Sequence, residues 1–191
     1  MCSRIAQGLQ WWLVACSVGT VLATPLFAQD TEQEVRMSLT VTSSAFQPGG
    51  TIPSLYTCDD KNISPPLSWT DPPEGTKSFA LISDDPDAPM GTWVHWVLYN
   101  LPASARKLAE ALPADAQLPD GTRQGTTDFG RTGYGGPCPP SGTHRYFFRL
   151  SALDSVLALE PGATTRELEA AMPGHILAQA ELMGTYKRRG R

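Results

Sequence analysis

The segment Asp128-Phe129-Gly130-Arg131-Thr132-Gly133-Tyr134-Gly135-Gly136-Pro137-Cys138-Pro139-Pro140-Ser141-Gly142-Thr143-His144-Arg145-Tyr146 constrains the fold more than any other stretch. Its first part fits neither a helix nor a central strand. Glycine admits backbone shapes with positive φ and lets another molecule come close to the main chain. Proline removes N–H donors and fixes φ, so Pro137, Pro139 and Pro140 stiffen what the glycines loosen. Two readings stay open here: one wall of a small ligand pocket, or an ordinary turn between strands. The segment then runs directly into an apolar, aromatic stretch that opens with His144.

A loop of this kind needs a scaffold. The chain's 191 residues are enough for one domain with a sizeable core. Seventeen prolines and seventeen glycines favour an all-β or loop-rich α/β architecture over a helical bundle. A net charge of −4 gives no basic footprint, so nucleic acid is not an expected partner. Lys187, Arg188, Arg189 and Arg191 read as a solvated tail, with residues 189–191 beyond the domain.

Residues 1–28 read as a secretory signal. Arg4 supplies the positive end, Trp11 to Ala23 the apolar run, and Pro25-Leu26-Phe27-Ala28 a cleavage site after Ala28. Ala23 is a second candidate. Leu13-Val14-Ala15-Cys16 also resembles a lipoprotein cleavage box, with anchoring at Cys16 as a lesser reading. The apolar run is short for a permanent span, which needs about 20 residues. An exported, periplasmic domain is the expectation, with residues 29–36 a flexible lead-in to a single domain over 37–188. Cleavage after Ala28 removes Cys2 and Cys16 and leaves Cys58 and Cys138. In an oxidising compartment that pair reads as a disulfide. The rival reading, a reactive thiol at Cys138, has no His or Lys beside it in sequence.

Along the domain, Met37 to Thr42 alternates as a half-buried strand does. Asn62 to Trp69 is extended, because its prolines deny it a helix. Ser78 to Asp84 reads as a buried strand. Thr92 to Asn100 is the next, and simple alternation puts Trp93, His95, Val97 and Tyr99 on one face and Val94, Trp96 and Leu98 on the other. His144 to Ala152 is a third, with His144, Tyr146, Phe148 and Leu150 together. Ser104 to Leu112 could form a short helix before a surface connection. The end reads as two helices. Thr164-Thr165-Arg166-Glu167 is a capping box for the first, Gly174 stops it, and His175 to Met183 forms the second with Ile176, Ala180 and Met183 on one face.

Polar groups adjoin the strand ends: Asp85 and Asp87 in Asp85-Pro86-Asp87-Ala88-Pro89, His95, and His144 with Tyr146. Each alone has a bland reading, a turn or a satisfied core histidine. Together they fit either of two chemistries. Carboxylate and imidazole could hold a divalent metal. Alternatively, imidazole N–H groups, a phenol and loop amides could donate to phosphate oxygens while Asp85 and Asp87 favour imidazolium. The spacing does not separate the two. The sequence has no His-x-x-x-His or Cys-x-x-Cys pattern, which weakens the metal case, and no Gly-x-Ser-x-Gly or Walker-type loop.

These residues, in this order, resemble the phosphatidylethanolamine-binding protein family, in particular its bacterial Raf-kinase-inhibitor-like branch. The matching pieces are Asn62-Ile63-Ser64-Pro65-Pro66-Leu67-Ser68-Trp69, Asp85-Pro86-Asp87-Ala88-Pro89, Trp93-Val94-His95-Trp96, Gly135-Gly136-Pro137-Cys138-Pro139-Pro140, and His144-Arg145-Tyr146. Gly174-His175-Ile176-Leu177-Ala178 and Gly184-Thr185-Tyr186-Lys187-Arg188 extend the likeness to the end of the domain. The resemblance implies a mainly β, β-sandwich-like domain of antiparallel sheets with a few peripheral helices, two of them near the C-terminus. It implies an anion pocket for phosphate or phospholipid head groups made by Asp85, Asp87, His95, Gly136, Pro137, Pro140, His144 and Tyr146. No cofactor, metal or turnover is implied, and a regulatory or inhibitory role toward a partner protein is a further expectation. The alternative is a metal-assisted hydrolase using Asp85, Asp87, His95 and His144.

Overall fold

A computed structural model describes residues 38–188. The expected signal over 1–28, the lead-in over 29–36 and the tail over 189–191 lie outside the described residues. In chain order the strands are β1 (Val41–Thr42), β2 (Leu67–Trp69), β3 (Ser78–Asp85), β4 (Trp93–Pro102), β5 (Lys107–Leu108), β6 (Arg123–Thr126), β7 (His144–Leu153), β8 (Gly162–Thr164) and β9 (Ile176–Tyr186). One α-helix, α1 (Thr165–Ala171), and a 3-10 turn at Ser54–Tyr56 complete the described elements.

The strands form two sheets. The small one has the order β1-β2-β5, and the large one β8-β6-β4-β3-β7-β9. All pairings are antiparallel except β6 with β8. The fold is mainly β, a sandwich with peripheral helical pieces, as expected.

The large sheet is buried on both faces, which explains the near-continuous apolar reading of β3 and β4. On its front face Leu81, Trp96, Leu98, Phe148 and Leu150 pack against Val41, Leu67, Trp69 and Leu108 of the small sheet. On its back face Ala80, Val94, Val97 and Tyr99 pack against Leu153, Leu157, Leu168 and Met172. Each such Leu, Val or Phe contributes roughly 1.5–3 kcal/mol by leaving water. The helix begins at the expected capping box: the Glu167 N–H donates to the Thr164 hydroxyl, and the Thr164 N–H donates to the Glu167 carboxylate at 2.7 Å. Gly174, at φ +85°, turns the chain out of it.

Three expectations are corrected. His175 to Met183 is not a helix but most of β9, paired with β7 from Leu153↔Ile176 to His144↔Tyr186. A ladder of that length, with Leu182 and Tyr186 buried on its inner face, outweighs the chance helical spacing of Ile176, Ala180 and Met183. Ser104 to Leu112 holds the short strand β5 rather than a helix. The faces of β4 also do not alternate simply. The register passes from Ser83↔Trp96 to Asp84↔Val94, so His95 is an extra residue, and a second irregularity leaves Tyr99 and Asn100 opposite Ala80. Such bulges reset the pleat. Val97 and Tyr99 therefore join Val94 on the back, while Trp96 and Leu98 face the front.

Candidate functional site

Three strand ends converge on one concavity. β3 ends at Asp85, β4 opens with Trp93 and carries His95, and β7 opens with His144. The bulge in β4 aims His95 toward the front face, where its ring meets Tyr146 edge-on at 5.2 Å. Asp85, His95 and His144 line a cavity of about 270 Å³. Trp93, Phe129, Pro139 and Pro140 form much of its wall, and Ala88, Pro89 and Met90 one lip. That volume suits a small group rather than a whole lipid, since drug-sized sites run from about 300 Å³ upward.

The hydrogen bonds fix the ring nitrogens. His144 Nδ1 lies 2.8 Å from Asp85 Oδ2, and both residues are buried. A carboxylate only accepts, so His144 Nδ1 carries the hydrogen. His95 Nδ1 donates in the same way to the Gly135 carbonyl at 2.6 Å. Both imidazoles thus spend Nδ1 on the protein, and Nε2 is the nitrogen left for a ligand. Burial is the main influence on His95 and pushes its pKa down, against the Gly135 carbonyl and the Asp85 charge. Tyr146 is pushed far up by burial first, then by the Asp85 charge and its hydrogen bond to that carboxylate. The phenol therefore stays protonated and donates to Asp85.

The glycine-rich stretch is one wall of this cavity. Gly135 faces His95 twice, donating its N–H to the His95 carbonyl at 2.9 Å and accepting from the ring. The Phe129 ring lies on Gly135 so closely that a Cβ there would fall 2.3 Å from the ring. Phe129 also meets Trp93 at 5.6 Å and His95 at 5.3 Å, both edge-on. The wall is anchored from behind. Cys58 and Cys138 form a disulfide, the Cys58 N–H donates to the Pro137 carbonyl, and the Tyr134 hydroxyl donates to the Tyr56 carbonyl.

The expected site residues divide into two groups. Asp85, His95, Pro140 and His144 line the cavity. Tyr146 stands behind them, 1% exposed. Asp87 does not line it. Its carboxylate takes the Arg145 guanidinium at 2.6 Å and the Arg145 N–H at 2.9 Å, and the Arg145 hydrogen bonds hold its pKa down at about 2. Asp87 instead fixes the turn after β3 to the start of β7, while its own N–H donates to Asp85 Oδ1 at 2.9 Å. Gly136 and Pro137 also lie outside the lining. Gly136 is glycine because the chain itself crowds it: an added Cβ would sit 2.2 Å from the Tyr56 carbonyl oxygen. Its N–H donates to Asn62 Oδ1, so Asn62 acts as a strut that the motif reading left without a role. Met90, Trp93 and Phe129 were not among the expected site residues. Phe129 lay within the opening segment, and Trp93 two residues before His95, but neither carries polar chemistry to draw notice.

The geometry fits the family suggested by the motifs. Residues 42–187 match the family model described as phosphatidylethanolamine-binding protein. This chain belongs to the phosphatidylethanolamine-binding protein family. The match takes in Asp85, His95 and His144 alike. Among relatives, a UPF0098 protein of Methanothermobacter thermautotrophicus is 58% identical over 144 residues, 75% of this chain and 95% of its own length. Two solved structures share the fold. One is a phosphatidylethanolamine-binding protein homologue, CT736, from Chlamydia trachomatis, 45% identical, with TM-score 0.74 over 80% of this chain and 99% of that one. The other is Escherichia coli YbcL, described as a new member of the mammalian phosphatidylethanolamine-binding protein family. It is 33% identical, with TM-score 0.73 and the same coverage.

Proposed function

We propose that this chain is an exported, non-enzymatic binding protein whose pocket takes a phosphate-type anion, free or as a phospholipid head group. The observation that carries the reading is the paired commitment of Nδ1. With His95 Nδ1 on Gly135 and His144 Nδ1 on Asp85, two Nε2 positions remain for one small cavity. An anion would draw a proton onto each Nε2 and gain two charge-assisted hydrogen bonds. Asp85 would then stabilise the His144 imidazolium, while Tyr146 holds Asp85 in place. Asp87 acts through Arg145 and the turn, as a positioning residue.

The hydrolase reading fits the donor set less well. Asp87 grips Arg145 and Asp85 grips His144, so the carboxylates a metal would need already have partners. Export is supported by the Cys58–Cys138 bridge and by the targeting character of residues 1–28. No helix among the described residues is long and apolar enough to cross a membrane. A periplasmic setting and a regulatory role toward a partner protein belong to the same proposal.

Isothermal titration of the purified protein with phosphate and with phosphoethanolamine tests it. Binding is expected in the wild type, weakened at least about tenfold, about 1.4 kcal/mol, in His95→Gln and in His144→Gln. Absence of heat at about millimolar ligand overturns the anion reading. Metal-dependent ester hydrolysis lost in both variants would replace it with the hydrolase reading.

A further inference from the structure

Five large apolar side chains are exposed among the described residues, and two of them, Met90 and Phe129, line the imidazole pocket. Met90 is 92% exposed, in the turn between β3 and β4, where Gly91 takes φ +103°. Phe129 is 40% exposed, and the half-buried Trp93 meets its ring edge-on at 5.6 Å. Single exposed apolar residues are ordinary, but several gathered around one concavity mark a surface that something apolar covers. A bare phosphate does not need such a collar, because all its oxygens seek hydrogen-bond donors.

The polar inventory narrows the ligand from the other side. Beyond the two imidazoles, the lining holds one ionisable group, Asp85. Asp85 is 3% exposed, its Oδ1 accepts the Asp87 N–H at 2.9 Å, and its Oδ2 pairs with His144 at 2.8 Å. An ammonium that enters with the anion therefore meets no open carboxylate in the lining. The aromatic wall serves it no better. The Arg131 guanidinium already lies 5.8 Å from the centre of the Phe129 ring, and a second cation beside it is repelled.

The donors thus fit a phosphoryl group, and the rest of the lining fits something apolar attached to it. Resting on the anion reading, we propose that the pocket selects a small phosphate ester of an apolar alcohol. Free phosphate, and esters of polar or ammonium-bearing alcohols, bind less well. Met90, Trp93 and Phe129 determine the choice: the apolar part lies along the two rings, and Met90 covers it from the lip. Methionine is unbranched and adaptable, which suits it to close over a substituent. The volume of about 270 Å³ keeps that substituent short.

Calorimetric titration of the purified protein with three monoesters of nearly equal size tests this: n-propyl phosphate, 2-hydroxyethyl phosphate and phosphoethanolamine, with inorganic phosphate alongside. n-Propyl phosphate is expected to bind at least about fivefold more tightly than 2-hydroxyethyl phosphate, which carries the same charge, and than phosphoethanolamine. Because Met90 is so exposed, Met90→Gln is expected to fold normally. It should shrink the propyl-to-hydroxyethyl ratio at least about twofold. A ratio unchanged in that variant overturns the proposal. Equal affinity for the three esters, or tightest binding of phosphoethanolamine, also overturns it while leaving the anion reading intact. No heat from any of the four at about millimolar concentration overturns both.

Discussion

Burial makes His95 reluctant to hold a proton, and that has a thermodynamic consequence beyond the pocket. In the unfolded chain an ordinary histidine titrates near about 6.5. Folding lowers this value at His95, so below about pH 6.5 the unfolded state binds a proton that the native state refuses. Stability is then present above that window and falls as pH drops through it toward the depressed folded value. Urea unfolding of the ligand-free protein is expected to show a midpoint falling between about pH 7 and about pH 5.5, with a shallower fall in His95→Gln. An unchanged slope in that variant would contradict the assignment. Gly135 is the other position where one atom decides. Adding a methyl group in Gly135→Ala forces the Phe129 ring away from the wall. Phosphate affinity is expected to drop several-fold by titration while most of the secondary structure, read by circular dichroism, is kept; unaltered affinity would mean that Phe129 does not shape the pocket.

Among the elements, β4 shows where reading a sequence stops. The strand and its central place were legible from its apolar residues. The bulge at His95 was not, because it is a property of pairing with β3 and leaves no mark in β4 alone. That bulge lets His95 and Trp96 both look forward. β9 is the converse case, where a helical spacing in sequence gave way to a ten-residue partner strand, β7. The first C-terminal helix was legible because a capping box is local chemistry. The pairing of Cys58 with Cys138 was also legible, since only two cysteines follow residue 28. That bridge joins positions 80 residues apart and should contribute about 4 kcal/mol by constraining the unfolded chain. Replacing both cysteines with serine is expected to lower the denaturant midpoint accordingly. Phosphate affinity should change by less than about threefold, because Tyr134, Gly136 and Pro137 still tie the wall to residues 56–62. A stability loss under about 1 kcal/mol would contradict the loop-closure account.

For the whole molecule, the sandwich holds the wall rigid while strand ends supply the chemistry. The small sheet packs on the front face of the large sheet, and the imidazole pocket opens where β3, β4 and β7 meet. Motif order made the convergence of Asp85, His95 and His144 on one cavity legible. It could not show that Asp87 and Gly136 serve the scaffold, because their partners, Arg145 and the backbone of Tyr56, are set by packing. The same strand end turns Asp84 to the back of the sheet, where Arg149 holds it, and Asp85 to the front pocket. The central claim is that both imidazoles take up a proton at Nε2 when an anion enters. Nitrogen-15 NMR of the histidine rings, followed across about pH 5 to about pH 8 with and without phosphate, observes this directly. The account predicts that phosphate places a proton on Nε2 of both rings, with Nδ1 protonated throughout; ring signals unmoved by phosphate at saturating concentration would contradict it.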